Sequence, residues 1–438
     1  FLLFLSFIDL DLSTSSLSLL SLPPKNKKLI FKAPATQAAA LAGLPPTVPA
    51  YTVNKVCASG MKAVALAAAS IATGSAEVVV AAGMESMSNA PFYLKSGSLR
   101  KGVKLGSLGE IEDGMVVDGL TCALSGREGN DGNDGKVKEK DSPPSRSMGS
   151  IADAAALEAG VSREDQDWYA LLSHSRAKRA AGEAMAAAAA HSAEKEEQEG
   201  KKNKSSSMSY YAWHGPEVSP VLVPRDPKSK AAKDGNSFDL VSLDDAPARL
   251  DEARLLKLPP AFGPAGTATA GNASPISDGA AALVLCSSSA AAMRGARVLA
   301  HVAACADAQL PPERFPFAPA EAAKAALKRA GVRDVKEVDL WEVNEAFASV
   351  VLATAKTLGL GSREEVEAKF NVAGGAVALG HPLGASGAAA VVRLAHVMAA
   401  RNVALGVAAI CNGGGGATAV VLRRSVREDG EPGDGDDE

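Results

Sequence analysis

The chain has 438 residues, of which 47% are hydrophobic and only 4% aromatic, and its formal net charge at pH 7 is −4. This length allows two or three domains with sizeable hydrophobic cores. The slightly acidic balance argues against a nucleic-acid-binding protein, because such domains carry a basic patch. Five scattered cysteines indicate a reducing compartment and not a disulfide framework.

The first 32 residues do not share the pattern of the rest of the chain. Residues 1–8 are apolar, but Asp9 and Asp11 end this stretch far short of the roughly 20 residues that a membrane span needs. No basic residue precedes the apolar stretch, so neither a transmembrane span nor a secretory signal is predicted. We expect residues 1–32 to lie outside the fold, either disordered or the product of an incorrect gene model.

Alternating helical and strand patterns over residues 37–92 are typical of an α/β layer. Cys57 lies where an apolar strand pattern gives way to a helix. An ordinary thiol is only about 3% ionised at pH 7, and a helix N-terminus or a nearby imidazolium can lower its pKa. Cys57 is therefore a candidate nucleophile, although a single cysteine is more often a buried small residue.

Two polar, low-complexity segments follow, and we expect both to be loops. Residues 125–147 are rich in glycine, aspartate and lysine, which predicts a disordered insertion. Between the two segments, helical periodicity over residues 162–189 starts with a capping-box-like Ser162. Lysines in residues 194–207 could contact a nucleotide phosphate, but a solvated loop is the simpler interpretation. The acidic residues 425–438 predict a disordered tail.

The triplet Ala-Ser-Gly occurs twice, at residues 58–60 and 385–387, and in both places Ala-Ala follows 23 positions after the first alanine. Each block runs loop, apolar helix and short apolar strand, which predicts two related βαβ-like halves. A chance match between two alanine-rich helices is the alternative. The second block adds His381 and Cys411 at loop edges, so comparable loops of the two halves carry two cysteines and a histidine.

Six separate motifs, in the family's order, resemble those of the thiolase family, and the similarity covers residues from about 33 to 424. They are residues 54–62 (Asn-Lys-Val-Cys-Ala-Ser-Gly-Met-Lys), 83–88 (Gly-Met-Glu-Ser-Met-Ser), 271–274 (Gly-Asn-Ala-Ser), 341–347 (Trp-Glu-Val-Asn-Glu-Ala-Phe), the loop around His381 and the Cys-Asn-Gly-Gly-Gly-Gly run that starts at Cys411.

The resemblance implies an α/β fold of duplicated thiolase-like halves, layered α/β/α/β/α, with a loop domain inserted in the first half. The N-terminal half would comprise residues 33–113 and 276–296 and would lack the family's first strand and helix. The loop domain would comprise residues 114–275, and the C-terminal half residues 297–424. Because such halves pair through a sheet edge, we expect a homodimer or homotetramer.

The resemblance also implies the catalytic residues. Cys57 would form an acyl thioester, His381 would accept its proton, and Cys411 would accept and donate a proton at the α-carbon of the second substrate. A water held by Asn344 would complete one oxyanion hole with His381. The backbone N–H groups of Cys57 and Gly413 would form the other.

Each of these residues also has a purely structural interpretation. His381 could be a capped core histidine, and Asn344 could cap a helix that starts at Glu345. The four glycines of residues 413–416 could form a tight turn. Cys122, which belongs to no catalytic motif, is interpreted as structural.

The coenzyme A site implied by the resemblance comprises Met148, Ser274, Ala346 and Phe347. Ser274 would contact the pantetheine arm, although it could be a turn residue. Phe347 would form a wall of the acyl pocket, although a core aromatic side chain is nearly as common. No metal-ligand spacing is present in the sequence, so no metal is predicted.

In four places the chain departs from the family's pattern. Ser147 replaces a histidine that contacts the coenzyme, Ala373 replaces an asparagine, and Ala389 replaces an arginine. His174 replaces a tyrosine associated with potassium in mitochondrial relatives, so potassium activation is not predicted. None of these changes affects the catalytic set.

The implied activity is that of an acetyl-CoA C-acetyltransferase, which condenses two acetyl-CoA to acetoacetyl-CoA and coenzyme A and catalyses the reverse thiolysis. Coenzyme A thioesters would be its substrates, with no permanently bound cofactor. A longer-chain 3-ketoacyl-CoA thiolase and a catalytically impaired protein that binds acyl-CoA or lipid are the alternatives.

Neither nucleic acid nor a membrane is an expected partner. Cytoplasm and mitochondrion both remain open as compartments, as do biosynthetic and degradative pathways. The C-terminal Asp436-Asp437-Glu438 is not a peroxisomal signal.

Overall fold

A computed structural model of the chain describes residues 2–5, 33–94, 111–122, 124, 147–199, 217–219, 221–224, 238–241 and 243–425. The strands are β1 Leu2–Leu5, β2 Val78–Ser86, β3 Phe92–Leu94, β4 Ile111–Asp113, β5 Val221–Pro224, β6 Phe238–Val241, β7 Asp278–Ser287, β8 Val298–Gln309, β9 Leu340–Val343, β10 Leu405–Asn412 and β11 Gly416–Arg423. The α-helices are α1 Pro34–Leu41, α2 Ser59–Ala72, α3 Met148–Glu158, α4 Arg163–Glu199, α5 Glu252–Leu255, α6 Ser288–Met293, α7 Ala318–Arg329, α8 Ala348–Thr357, α9 Arg363–Lys369, α10 Ala376–Leu379 and α11 Leu383–Arg401.

Within the described residues, seven strands form one mixed sheet in the order β2-β7-β1-β8-β11-β10-β9. The two halves of this sheet repeat one pattern. In the first half β2 pairs antiparallel with β7, and β7 pairs antiparallel with β1. In the second half β10 pairs antiparallel with β11, and β11 pairs antiparallel with β8. The sheet therefore supports the duplication that the repeated Ala-Ser-Gly triplet predicts.

Strand β1 differs from the sequence-based expectation. Leu2–Leu5 pairs antiparallel with both β7 and β8 and occupies in the first half the place that β8 occupies in the second. The prediction that the first 32 residues lie outside the fold is therefore wrong for these four, because an apolar tetrapeptide supplies the backbone hydrogen bonds that β7 needs on its second edge. Residues 6–32 lie outside the described part of the chain.

Helices α2 and α11, which begin at the two Ala-Ser-Gly triplets, pack against each other in the centre of the molecule. A Cβ placed on Gly60 would lie 2.8 Å from the backbone nitrogen of Ala388, and one placed on Gly387 would lie 2.5 Å from that of Met61. The contact is reciprocal, with each glycine facing the residue after the other. The two helices share one core cluster with residues of β2, β7, β10 and β11.

Helix α11 contacts strands of both halves, so the helix pair forms a layer between them. Among the described helices it alone is long and apolar enough to cross a membrane, but its buried face lies in this central core. On the outer side of the second half, α7 and α8 form a separate core with β9 to β11.

The outer side of the first half is different. In β2, Ala81 is buried, whereas Val78, Val80 and Met84 on the opposite face are 39%, 53% and 55% exposed. The described residues thus leave the outer face of β2 uncovered. Because β1 occupies the place of a first strand in this half, the expectation that the half lacks part of a layer stays a prediction.

Helix α4 is longer than predicted. Its start is confirmed: the backbone N–H of Asp165 donates to Ser162 Oγ at 3.0 Å, and the N–H of Ser162 donates to Asp165 Oδ2 at 3.3 Å. The helix continues to Glu199, so the prediction of a loop from residue 194 is wrong for its first six residues, because lysines, glutamates and alanines are strong helix formers. Residues 125–146, 200–207 and 426–438 of the other predicted loops lie outside the described residues.

Candidate active site

The loop that carries Cys57 is held in a strained conformation. Val56 has φ of +51°, a region that β-branched residues rarely adopt. Three hydrogen bonds maintain it. Ser59 Oγ accepts from the Lys55 N–H at 2.9 Å and donates to the Val56 carbonyl at 2.6 Å, and Asn54 Oδ1 accepts from the Val56 N–H at 2.9 Å. Cys57 is thereby fixed two residues before the first residue of α2.

A cluster of charges ties this loop to the second half of the molecule. Lys55 Nζ donates to Asp307 Oδ1 at 2.5 Å, to the Ala417 carbonyl at 2.9 Å and to Thr418 Oγ1 at 2.8 Å. Lys62 Nζ reaches the other carboxylate oxygen of Asp307 at 2.6 Å. Although partial burial raises the pKa of Asp307, these hydrogen bonds hold it well below its usual range. Strands β8 and β11 thus anchor the nucleophile loop of the first half.

Cys57 is 8% exposed, and burial raises the pKa of its thiol to about 11. Hydrogen bonds from the backbone N–H groups of Gly413 and of Cys57 itself lower the pKa in part. Burial therefore outweighs the lowering of the Cys57 pKa that we expected from the helix N-terminus. Cys57 is a neutral thiol at rest, and it needs a base to become a nucleophile.

His381 is buried against the start of α11, and both of its ring nitrogens have partners. Nδ1 lies 2.6 Å from Ser386 Oγ, and Nε2 lies 3.3 Å from Asn344 Nδ2. Its backbone N–H donates to the Pro275 carbonyl at 3.2 Å. Burial lowers the pKa of His381 to about 4, so the imidazole is neutral near pH 7 and can accept a proton.

Asn344 directly follows β9, and its backbone N–H donates to the Ala409 carbonyl of β10 at 3.0 Å. The alternative that Asn344 caps a helix starting at Glu345 is wrong, since α8 begins at Ala348 with Phe347 in the cap position. The side chain of Asn344 is instead turned towards His381.

Cys411 lies near the end of β10 and is 2% exposed. Burial raises the pKa of its thiol well above the usual value, and the facing Cys57 raises it further. The loop after β10 turns back at Gly414 and Gly415, which both have φ of +88°, and a Cβ on Gly415 would lie 2.1 Å from the Leu310 carbonyl oxygen. The glycine run therefore does form a tight turn, and this turn brings the Gly413 N–H to the Cys57 sulfur.

An apolar cluster surrounds Cys411. Met148 lies beside Gly413, with its sulfur 3.7 Å from where a Cβ would be, and Phe262 meets the Phe347 ring edge-on with centroids 5.8 Å apart. Cys122, interpreted from the sequence as structural, belongs to the same cluster. Its members are Cys122, Ile151, Ala152, Ala268, Phe315, Phe347, Val350 and Cys411, with Met148, Ala273 and Ala346 partly buried against them.

Ser274 and Ala346 lie side by side at the rim of this cluster. The backbone N–H and the hydroxyl of Ser274 both donate to the Ala346 carbonyl, at 3.1 and 2.9 Å. Ala273 also forms a bridge with Phe347. The Ser274 hydroxyl thus holds two loops together, which the sequence-based interpretation did not include.

Sequence reasoning missed the environment of Glu345. Its carboxylate is fully buried and accepts hydrogen bonds from the Tyr169 hydroxyl at 2.8 Å, Ser173 Oγ at 2.7 Å, Asn371 Nδ2 at 2.9 Å and the Val377 N–H at 2.9 Å. These donors come from α4, α10 and the loop before α10. The only signal in the sequence was the charged residue next to Asn344, in a stretch that already contains Glu342.

Comparison with known proteins agrees with this geometry. The model of the thiolase N-terminal domain matches residues 30–188 and 181–289, and that of the thiolase C-terminal domain matches residues 296–424. Acetyl-CoA acetyltransferase 2 of Arabidopsis thaliana is 43% identical over 392 residues, 89% of this chain and 82% of the relative. Acetyl-CoA acetyltransferase of Schizosaccharomyces pombe is 39% identical over 391 residues, 89% of this chain and 83% of the relative.

Solved structures give the same result. The Acat5 thiolase of Ascaris suum, in complex with coenzyme A, has a TM-score of 0.68 and 34% identity, with 89% of this chain and 83% of that chain covered. Acetyl-CoA acetyltransferase of Syntrophomonas wolfei has a TM-score of 0.70 and 30% identity, with 90% and 84% covered. The architecture, the two matched domains and these relatives together establish that the chain belongs to the thiolase family.

Proposed function

We propose that the chain is an acetyl-CoA acetyltransferase, which joins two acetyl-CoA into acetoacetyl-CoA and coenzyme A and catalyses the reverse thiolysis. One observation carries the proposal: the Cys57 thiol lies close to Cys411 and to the Gly413 N–H, where the two halves are in contact. Two buried thiols, one aligned with a backbone donor, suit a reaction that needs both a nucleophile and a base.

In the first half-reaction, the Cys57 thiol gives its proton to His381 Nε2, and the thiolate attacks the carbonyl carbon of acetyl-CoA. The N–H groups of Cys57 and Gly413 stabilise the oxyanion, and removing one such donor costs about 3–4 kcal/mol in comparable sites. The carbon–sulfur bond to coenzyme A then breaks. Cys411, whose raised pKa keeps it a thiol at rest, protonates the leaving thiolate and becomes a thiolate itself.

In the second half-reaction, the Cys411 thiolate removes a proton from the α-carbon of a second acetyl-CoA and returns to its thiol form. The protonated His381 and a water held by Asn344 stabilise the enolate oxygen. The enolate carbon attacks the acetyl group on Cys57, the carbon–sulfur bond breaks, and Cys57 recovers its proton from His381. All protons and bonds balance over the cycle.

Met148, Phe347, Ala346 and Ser274 form the proposed site for the acyl group and the pantetheine arm. Phe347 and Met148 pack in the apolar cluster that contains Cys411, which supports a short acyl group over the longer-chain alternative. The coenzyme A complex of the Ascaris suum relative supports coenzyme A thioesters as ligands.

Several finer points belong to the same proposal. We infer a homodimer or homotetramer, which light scattering on the eluted protein would test. The compartment is cytoplasm or mitochondrion, since similar relatives include a cytosolic form in Gibberella zeae and a mitochondrial form in Bos taurus. We retain the division into an N-terminal half, a loop domain and a C-terminal half.

The deciding experiment is thiolysis of acetoacetyl-CoA by the purified chain, beside a longer-chain 3-ketoacyl-CoA. We expect turnover of the short substrate, a covalent acetyl adduct in the intact mass, and loss of both in Cys57→Ala. Cys305→Ala, which removes a half-buried thiol outside the apolar cluster around Cys411, is the matched control and should retain activity. A folded protein that binds coenzyme A without turnover would favour the catalytically impaired alternative.

A further inference from the structure

The two Ala-Ser-Gly triplets place equivalent serines in the first turns of α2 and α11. Ser59 holds the backbone of the loop that presents Cys57. Ser386, at the same position of the second triplet, is 6% exposed and lies beside His381. The mechanism above assigns no role to Ser386, although its hydroxyl makes a 2.6 Å contact with the proposed base.

The hydrogen-bond partners of Ser386 show which atom donates the hydrogen in its contact with His381. A hydroxyl has a single proton to donate. Ser386 Oγ lies 2.9 Å from the Pro382 carbonyl oxygen, which can only accept, so the hydroxyl proton is directed there. Towards His381, Oγ then offers a lone pair. Nδ1 of His381 must be the donor and must carry the ring proton.

The other side of the ring independently gives the same result. Asn344 Nδ2, an amide donor, faces His381 Nε2 at 3.3 Å. A protonated Nε2 would point its hydrogen at that donor, whereas an unprotonated Nε2 offers it a lone pair. Both neighbours of the imidazole therefore select the same neutral tautomer, with the proton on Nδ1.

We propose that Ser386 is a positioning residue that holds His381 in its Nδ1–H tautomer, so that Nε2 is the nitrogen that accepts the Cys57 proton. This inference rests on the proposed function, because it assigns a role within that reaction. The arrangement serves both half-reactions. When Nε2 gains its proton, the Asn344 amide group must turn its donor away, whereas Nδ1–H still donates to the serine. Nε2–H then becomes a donor for the enolate oxygen without any rotation of the ring.

The test compares Ser386→Ala, which removes the acceptor, with Ser386→Thr, which keeps a hydroxyl at the same atom. Ser362→Ala is the matched control, since Ser362 caps α9 through the Glu365 N–H on the exposed surface of the same half. Two quantities are measured in each protein: the pH profile of kcat/KM for thiolysis, and the tautomer of His381 by two-bond ¹H–¹⁵N correlation. The His381 signals are assigned by their absence in His381→Asn.

We expect Ser386→Ala to lose about 10- to 100-fold in kcat/KM, part of the roughly 10²- to 10⁴-fold that a general base contributes. Its His381 should show a mixture of tautomers, and Ser386→Thr should restore the Nδ1–H form and most of the activity. Unchanged Nδ1–H signals in Ser386→Ala would overturn the inference, whatever the activity. If the parent protein has no thiolysis activity, the proposed function fails, but the tautomer measurement still decides whether Ser386 fixes the ring.

Discussion

Replacing Gly387 by alanine tests the close crossing of α2 and α11. The new Cβ would lie 2.5 Å from the backbone nitrogen of Met61 and 2.8 Å from its Cβ. Ordinary contacts begin near 3.4 Å, so the helices must separate by about 0.9 Å. Backbone atoms cannot rotate away as the end of a side chain can. The added methyl group can therefore be accommodated only by a looser packing between the two halves.

Overpacking of this kind costs about 1–3 kcal/mol, whereas alanine in place of glycine inside a helix returns about 0.5–1 kcal/mol. We expect Gly387→Ala to lower the free energy of unfolding by about 1–2 kcal/mol. Because Cys57 and His381 lie just before these two helices, a shift of nearly 1 Å should also reduce kcat/KM by about 100-fold.

Gly182→Ala is the matched control, since Gly182 lies within α4 with no atom within 4 Å of the added Cβ. This variant should be about 0.5–1 kcal/mol more stable than the parent, with unchanged activity. Urea unfolding measures the change in stability, provided that the m value is the same in all variants, and thiolysis kinetics measure the change in activity. Equal urea midpoints for the two variants would show that the two helices cross less closely than the structure indicates and would contradict the prediction.

Three further predictions concern ionisable side chains. Between pH 6.5 and 5 His381 becomes protonated in the unfolded chain but not in the folded chain, where its pKa is about 4, so the free energy of unfolding decreases as the pH is lowered. His381→Asn should reduce this dependence by about 1.4 kcal/mol per pH unit, measured by urea unfolding at several pH values. Equal pH dependence in the variant and the parent would contradict the prediction. Asp307→Asn removes the carboxylate that holds Lys55 and should lower the free energy of unfolding by about 1 kcal/mol, with a several-fold loss of kcat. Because salt screens an ion pair, an effect that is unchanged in high salt would argue against this ion pair. Glu345→Gln turns an amide group towards the donors that surround this side chain and should lower the free energy of unfolding by about 2–4 kcal/mol, measured by calorimetry; an unchanged stability would contradict the importance of these hydrogen bonds.

Short motifs were sufficient to name the residues that the structure brings together. Cys57, Cys411 and Gly413 each lie in a local pattern whose chemistry is apparent from the residues themselves, and the duplicated triplet indicated that the two loops belong to equivalent halves. The roles of these residues stay predictions until the assays are made.

Other features could not be predicted from local patterns. The partners of Glu345 include Tyr169, which is 176 positions away, and no periodicity relates the two. The apolar start of the chain was expected to lie outside the fold because its partners, β7 and β8, lie almost 300 residues downstream. The tautomer of His381 depends on hydrogen-bond directions, which a sequence does not contain. The raised pKa of Cys57 likewise follows from burial, and burial is a property of the assembled fold.

The buried carboxylate of Glu345 has a consequence for how substrates enter. Tyr169 and Ser173 belong to α4, in the proposed loop domain, whereas Glu345 belongs to the second half. Swinging that domain open would remove two hydrogen-bond donors from a fully buried carboxyl group, and each buried polar group left without a partner costs about 1–3 kcal/mol. Opening by rotation of the whole domain would be rare on the timescale of turnover. We therefore expect a long thioester to enter and leave without rotation of the whole domain.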